Sequence, residues 1–149
     1  MRAIIQRVKH AGVEIDGKIN GKIDEGLLIF LGVGKGDSEK DLEYIADKTL
    51  TLRIFEDENG KMNKCISDIN GEILVISQFT LYGDCRKGRR PSFDSAMPPK
   101  EAEMMYEKFV DYIKNSGLKI ETGMFGADMK VDLLNDGPVT MILDSTKIL

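Results

Sequence analysis

At 149 residues and 42% hydrophobic, the chain holds enough apolar surface for one self-sufficient core, so a single domain over residues 1–149 is expected, without metal or disulfide staples. A net charge of -4 argues against indiscriminate nucleic-acid binding, which needs a broadly basic surface. The charged start Met1-Arg2-Ala3-Ile4-Ile5-Gln6-Arg7 lacks a signal-peptide core, and no later apolar run approaches the ~20 residues of a membrane span, so a soluble, cytoplasmic protein with no membrane partner is expected.

Residues 1–9 alternate in strand fashion, and Val13-Glu14-Ile15 and Lys18-Ile19 flank the turn dipeptide Asp16-Gly17. Gly26 opens the buried-strand run Leu27-Leu28-Ile29-Phe30-Leu31. After the loop Gly34-Lys35-Gly36-Asp37, Ser38 caps a helix whose apolar positions Leu42, Ile45, Ala46, Thr49 and Leu50 follow a 3.6-residue period. That loop matches neither phosphate-binding glycine pattern and reads as a plain turn. Arg53-Ile54-Phe55 and Met62 bracket an Asn59-Gly60 turn, and Asn70-Gly71 precedes the strand from Glu72 to Ile76. Pro98-Pro99 starts a second helix with Ala102, Met105, Tyr106, Phe109, Tyr112 and Ile113 on its core face, and Gly117 ends it. A short strand at Leu118-Lys119-Ile120-Glu121 follows, then two strands, Met129 to Leu134 and Val139 to Leu143, separated by Asn135-Asp136-Gly137-Pro138. Two main helices among many short strands, without strict βαβ alternation, indicate an α+β domain whose mixed or antiparallel sheets form a barrel-like or layered core.

Two polar runs lie against strands: Ser77-Gln78-Phe79-Thr80-Leu81-Tyr82-Gly83-Asp84 and Asn135-Asp136-Gly137-Pro138-Val139-Thr140. The first offers hydroxyl and amide groups but no adjacent general base, and a triad would require the only histidine, His10, to arrive from elsewhere. Hydrolysis of an activated bond needs less, because main-chain N–H groups aimed at an oxyanion supply several kcal/mol by themselves. In the second run, Gly137-Pro138 interrupts a strand pattern that neither residue supports. Cys65 and Cys85 form no metal-ligand spacing and read as unreactive thiols, so no metal is expected. Arg86-Lys87-Gly88-Arg89-Arg90 sets four cations beside the first run, able to hold a phosphate backbone or merely to solvate a loop. From residue chemistry alone the chain reads as a hydrolase or an RNA-associated domain.

At these residues the chain resembles the D-aminoacyl-tRNA deacylase family. The likeness is carried by Ser77-Gln78-Phe79-Thr80, Arg86-Lys87-Gly88-Arg89-Arg90-Pro91-Ser92-Phe93, Phe125-Gly126-Ala127-Asp128-Met129 and Asn135-Asp136-Gly137-Pro138-Val139-Thr140, and it extends over essentially the whole chain. Gly83 and Cys85 stand where Ala and Thr are common in the family. The resemblance implies hydrolysis of the ester between a D-amino acid and the terminal ribose of tRNA, a proofreading activity without cofactor. It implies a homodimer in which Gly137-Pro138, with a cis bond, reaches into the partner's pocket and faces Ser77, Gln78, Phe79 and Met129. A fixed main-chain wall there excludes L side chains and lets glycyl-tRNA through. Catalysis is expected from main-chain donors near Phe79 and Thr80 with the ribose 2'-hydroxyl assisting water; the competing route makes Thr80 a nucleophile oriented by Gln78. Arg86, Lys87, Arg89 and Arg90 are expected to contact the acceptor stem. Two alternatives remain: a non-catalytic tRNA- or DNA-associated module of the same fold, and a small-molecule esterase.

Overall fold

The computed structural model describes all 149 residues. The chain forms β1 (Arg2–Ile15), β2 (Lys18–Ile23), β3 (Gly26–Gly32), α1 (Glu39–Thr51), β4 (Phe55–Glu56), β5 (Met62–Lys64), β6 (Glu72–Ser77), α2 (Pro99–Lys114), β7 (Ile120–Thr122) and β8 (Lys130–Asp144). Two 3-10 turns, Ile66–Ile69 and Phe79–Tyr82, flank β6.

The main sheet runs β2-β1-β3-β6-β7, with β8 on the other edge of β1. It is mixed: β1 pairs antiparallel with β2, β3 and β8, whereas β3–β6 and β6–β7 are parallel. The sheet curls until its ends meet, with Asn20 Nδ2 on β2 donating to the Thr122 carbonyl of β7 at 2.9 Å. Gly21 permits that approach, since a Cβ there would lie 2.8 Å from the same oxygen. The α+β class, two helices and barrel-like sheet are as expected. One cluster of buried side chains, Val8, Ala11, Val13, Ile23, Leu28, Leu74 and Ile76, fills the inside of the curl. A larger one packs both helices on the opposite face, around Ile5, Ile29, Ile45, Ile73 and Phe109.

Local signals explain the helices. The Asp41 carboxylate accepts from the Ser38 N–H at 2.7 Å and from its hydroxyl at 3.0 Å, closing the start of α1. Pro99 sits in the first turn of α2, where its missing N–H costs nothing, and Gly117 takes φ +79° just beyond the end.

Two readings change. Residues 1–9 and 13–15 are one 14-residue strand, and β8 is continuous where two strands were expected. Asn135-Asp136-Gly137 does not reverse the chain, because both halves of β8 pair antiparallel with the same β1. Between Gln6 and Val8, β1 advances two residues while β8 goes from Thr140 to Asn135, five, so three surplus residues bulge out. Side chains take over the lost ladder: Asn135 Oδ1 accepts from the Val139 N–H at 2.8 Å, and Arg7, buried, donates to the carbonyls of Asp136 at 2.9 Å and Ile54 at 2.7 Å. The Gly137-Pro138 bond in this bulge is cis.

Candidate active site

Strand β6 delivers the first polar run to the mouth of a cavity of about 360 Å³. Ser77 ends the strand, Gln78 follows, and Phe79–Tyr82 coil into the 3-10 turn. Ser77, Gln78, Phe79 and Met129 line this cavity together; Thr80, next along the turn, is exposed and does not line it. The remaining wall is largely apolar and comes from Leu31, Val33, Met97, Tyr106, Phe125 and Val131, among others.

Gln78 Nε2 donates to Thr80 Oγ1 at 2.5 Å. An amide N–H pointed at the hydroxyl oxygen withdraws electron density and removes no proton, the opposite of what a nucleophile needs. His10 is elsewhere, in a separate depression with Lys22, Asp24 and Asp132. The N–H groups of Phe79 and Thr80 begin the 3-10 turn, where no carbonyl within the turn can accept from them. The backbone bonds that seat the turn run from Gln78 N to Leu31 O at 2.8 Å and from Gly83 N to Thr80 O at 3.0 Å.

Sequence reasoning missed much of the cavity wall. Tyr106 belongs to the apolar stripe of α2 read as core, and it is 5% exposed, yet it also borders the cavity while its hydroxyl donates to the Val75 carbonyl at 2.8 Å. Burial pushes that phenol's pKa up, so it stays a neutral donor. A helix period reports the buried face but cannot distinguish packed from cavity-lining residues on it.

The four basic residues lie on an exposed loop closed by paired backbone bonds, Asp84 N to Ser92 O at 2.7 Å and Ser92 N to Asp84 O at 3.0 Å. Arg86 folds back on Asp84, with Nε to Oδ1 at 2.9 Å and Nη2 to Oδ2 at 2.7 Å, and these bonds hold the Asp84 carboxyl at about 2. Lys87, Arg89 and Arg90 project around Gly88, which has φ +68°. The loop is tied to the cavity rim by Phe93, whose ring meets Phe79 edge-on at 5.0 Å. Gly137 and Pro138 are exposed and do not line the cavity of their own chain. Cys65 and Cys85 are free thiols, and no helix is long and apolar enough to cross a membrane.

In architecture the chain is matched by solved structures of two proteins. One, described as c-Myc DNA Unwinding Element Binding Protein, is 42% identical with a TM-score of 0.91, covering 97% of this chain and 98% of that one. The other, described as a probable eukaryotic D-amino acid tRNA deacylase, superposes with a TM-score of 0.82 over 95% and 97% of the two chains at 15% identity, a likeness of fold alone. In sequence, residues 4–144 match the D-Tyr-tRNA(Tyr) deacylase family. D-aminoacyl-tRNA deacylases of Thermosipho africanus and Aquifex aeolicus are each 62% identical over 148 residues, covering 99% of this chain and 99% and 100% of theirs. The chain belongs to the D-Tyr-tRNA(Tyr) deacylase family, and by that membership it is a hydrolase.

Proposed function

We propose that this enzyme hydrolyses the ester of D-aminoacyl-tRNA, releasing tRNA and the D-amino acid, and spares L-aminoacyl-tRNA. The observation that carries the reading is a cavity at the end of β6 lined by Ser77, Gln78 and Phe79, where the N–H groups of Phe79 and Thr80 open a 3-10 turn, with no histidine or carboxylate among the lining residues. An aminoacyl ester is already activated, so donors at its developing oxyanion are sufficient, each contributing about 2.7–4 kcal/mol. The ribose 2'-hydroxyl of the substrate assists the attacking water.

The working form is a homodimer. An apolar row crosses three strands in register, Ile142 beside Ile4 and Ile4 beside Phe30. Ile142 and Phe79 are each 57% exposed, which favours cover by a second copy. Gly137 and Pro138 of the partner subunit then face Ser77, Gln78, Phe79 and Met129. Exclusion by that main chain acts on any β-carbon of L configuration, so D side chains are tolerated broadly and glycine, which has none, is also cleaved. A clash and lost polar contacts discriminate far more strongly than apolar fit, which yields only ~1–3 kcal/mol per methylene. Lys87, Arg89 and Arg90, with Arg86 braced by Asp84, hold acceptor-stem phosphates.

The test is deacylation of D-tyrosyl-, L-tyrosyl-, glycyl- and L-alanyl-tRNA side by side. Rapid loss of the D-tyrosyl and glycyl esters with the two L esters intact is expected; equal glycyl and L-alanyl rates would refute main-chain exclusion. Failure to cleave D-tyrosyl-tRNA would leave the fold as a tRNA-associated module.

A further inference from the structure

The segment carrying Gln78, Phe79 and Thr80 is held from outside the cavity by a residue that the chemistry above does not use. Arg2 opens β1 with Gly32 of β3 and Asp144 of β8 as its register partners. Its Nε donates to Asp144 Oδ2 at 2.9 Å and its Nη1 to the Leu81 carbonyl at 3.1 Å, while the guanidinium sits 4.6 Å from the centre of the Tyr82 ring. Asp144 is buried and accepts in addition from the Thr146 N–H at 2.7 Å and from the Thr146 hydroxyl.

The end of β3 and the residues just after it complete the grip. A Cβ on Gly34 would come within 2.6 Å of the Tyr82 ring, and one on Gly32 within 2.9 Å of the Gln78 carbonyl and 3.1 Å of Leu81 Cβ. The turn Phe79–Tyr82 therefore lies flat on a glycine floor, with Arg2 stacked on Tyr82 and bonded to Leu81. Arg2 and Tyr82 border a depression distinct from the catalytic cavity, shared with Gly83, Asp84, Cys85 and Arg86. Two of the donors of Arg2 are occupied by protein acceptors, and its side chain is 29% exposed.

We propose that Arg2 is a positioning residue for deacylation: by fixing the Leu81 carbonyl and the Tyr82 ring, it sets where the Phe79 and Thr80 amides point. This rests on the amide reading of the site given above. The turn is one coil long, so a shift at Leu81 is passed directly to Thr80 and Phe79, and a misplacement of about 1 Å costs on the order of 100-fold in rate.

The experiment compares Arg2→Gln, Arg2→Lys and Tyr82→Leu with the wild type in single-turnover hydrolysis of D-tyrosyl-tRNA, alongside binding of uncharged tRNA across a salt series. Arg2→Gln and Tyr82→Leu are expected to slow hydrolysis about 10- to 100-fold with tRNA affinity and its salt slope within twofold of wild type. Arg2→Lys, which keeps the charge beside Asp144 but not the fork that also reaches Leu81, should fall between. Millimolar guanidinium should restore part of the lost rate in Arg2→Gln. Affinity falling in step with rate would make Arg2 an RNA contact and overturn the inference, as would an unchanged rate in a folded variant. Tyr82→Leu carries the test if Arg2→Gln does not fold. A wild type inactive on D-tyrosyl-tRNA would remove the proposed function and this inference with it, whereas equal activity in wild type and Arg2→Gln would remove this inference alone.

Discussion

Thr80 is the residue on which the two chemical routes part. Its hydroxyl receives a hydrogen bond from Gln78 and stands exposed, an arrangement suited to shaping the turn and poorly suited to attack. Thr80→Ala should therefore deacylate within about tenfold of wild type in single-turnover assays, whereas an acyl-enzyme route demands a loss of several orders of magnitude. Asp144 gives a pH signature. Burial raises its carboxyl pKa, but hydrogen bonds from Thr146 and Arg2 outweigh that and hold it below the ordinary 3.8. A folded-state value below the unfolded one contributes stability in full above the unfolded value and loses it as pH falls through the folded one. Asp144→Asn should thus cost about 1–3 kcal/mol at neutral pH. In denaturant titrations the gap to wild type should hold down to about pH 4 and close below it.

Among the elements, the basic loop makes a separable prediction. Its cations hang from a hairpin pinned at Asp84 and Ser92 and packed on the cavity through Phe93 against Phe79. Arg89→Glu with Arg90→Glu should weaken tRNA binding at least tenfold at low salt and flatten its salt slope, leaving the ratio of D- to L-ester hydrolysis unchanged. Filter binding across salt concentrations, paired with the two rates, checks it. The elements also show what the sequence carries and what it does not. Ser38, Asp16-Gly17, Asn59-Gly60 and Pro98-Pro99 announced their caps and turns because those preferences act within four residues. Asn135-Asp136-Gly137 misled for the same reason: its local preference is to turn, but pairing of both flanks with β1 keeps β8 running in one direction past the bulge. Ser77, Gln78, Phe79 and Met129 were legible as a group through resemblance to a family. Arg2 was not, because its partners lie 79 and 142 residues away and its own neighbourhood reads as an ordinary strand.

For the whole molecule, the proposed homodimer sets the prediction. The row of Ile142, Ile4 and Phe30 is continuous across three strands, and the cavity of one chain lacks its own Gly137 and Pro138. Ile142→Asp should yield a monomer in sedimentation equilibrium that keeps its far-ultraviolet dichroism and loses D-tyrosyl-tRNA hydrolysis; a fully active monomer would show that the cavity works unaided. The bulge in β8 has one more consequence. Hydrogen-bonded to β1 on both flanks and bolted down by Arg7, it is built as a fixed tooth rather than a flap. In the proposed dimer, an inhibitor that asked this tooth to retreat would have to unzip ladder on either side of it. Successful ligands should instead be those cut to its standing relief, and rigid compounds should outperform flexible ones of equal contact area.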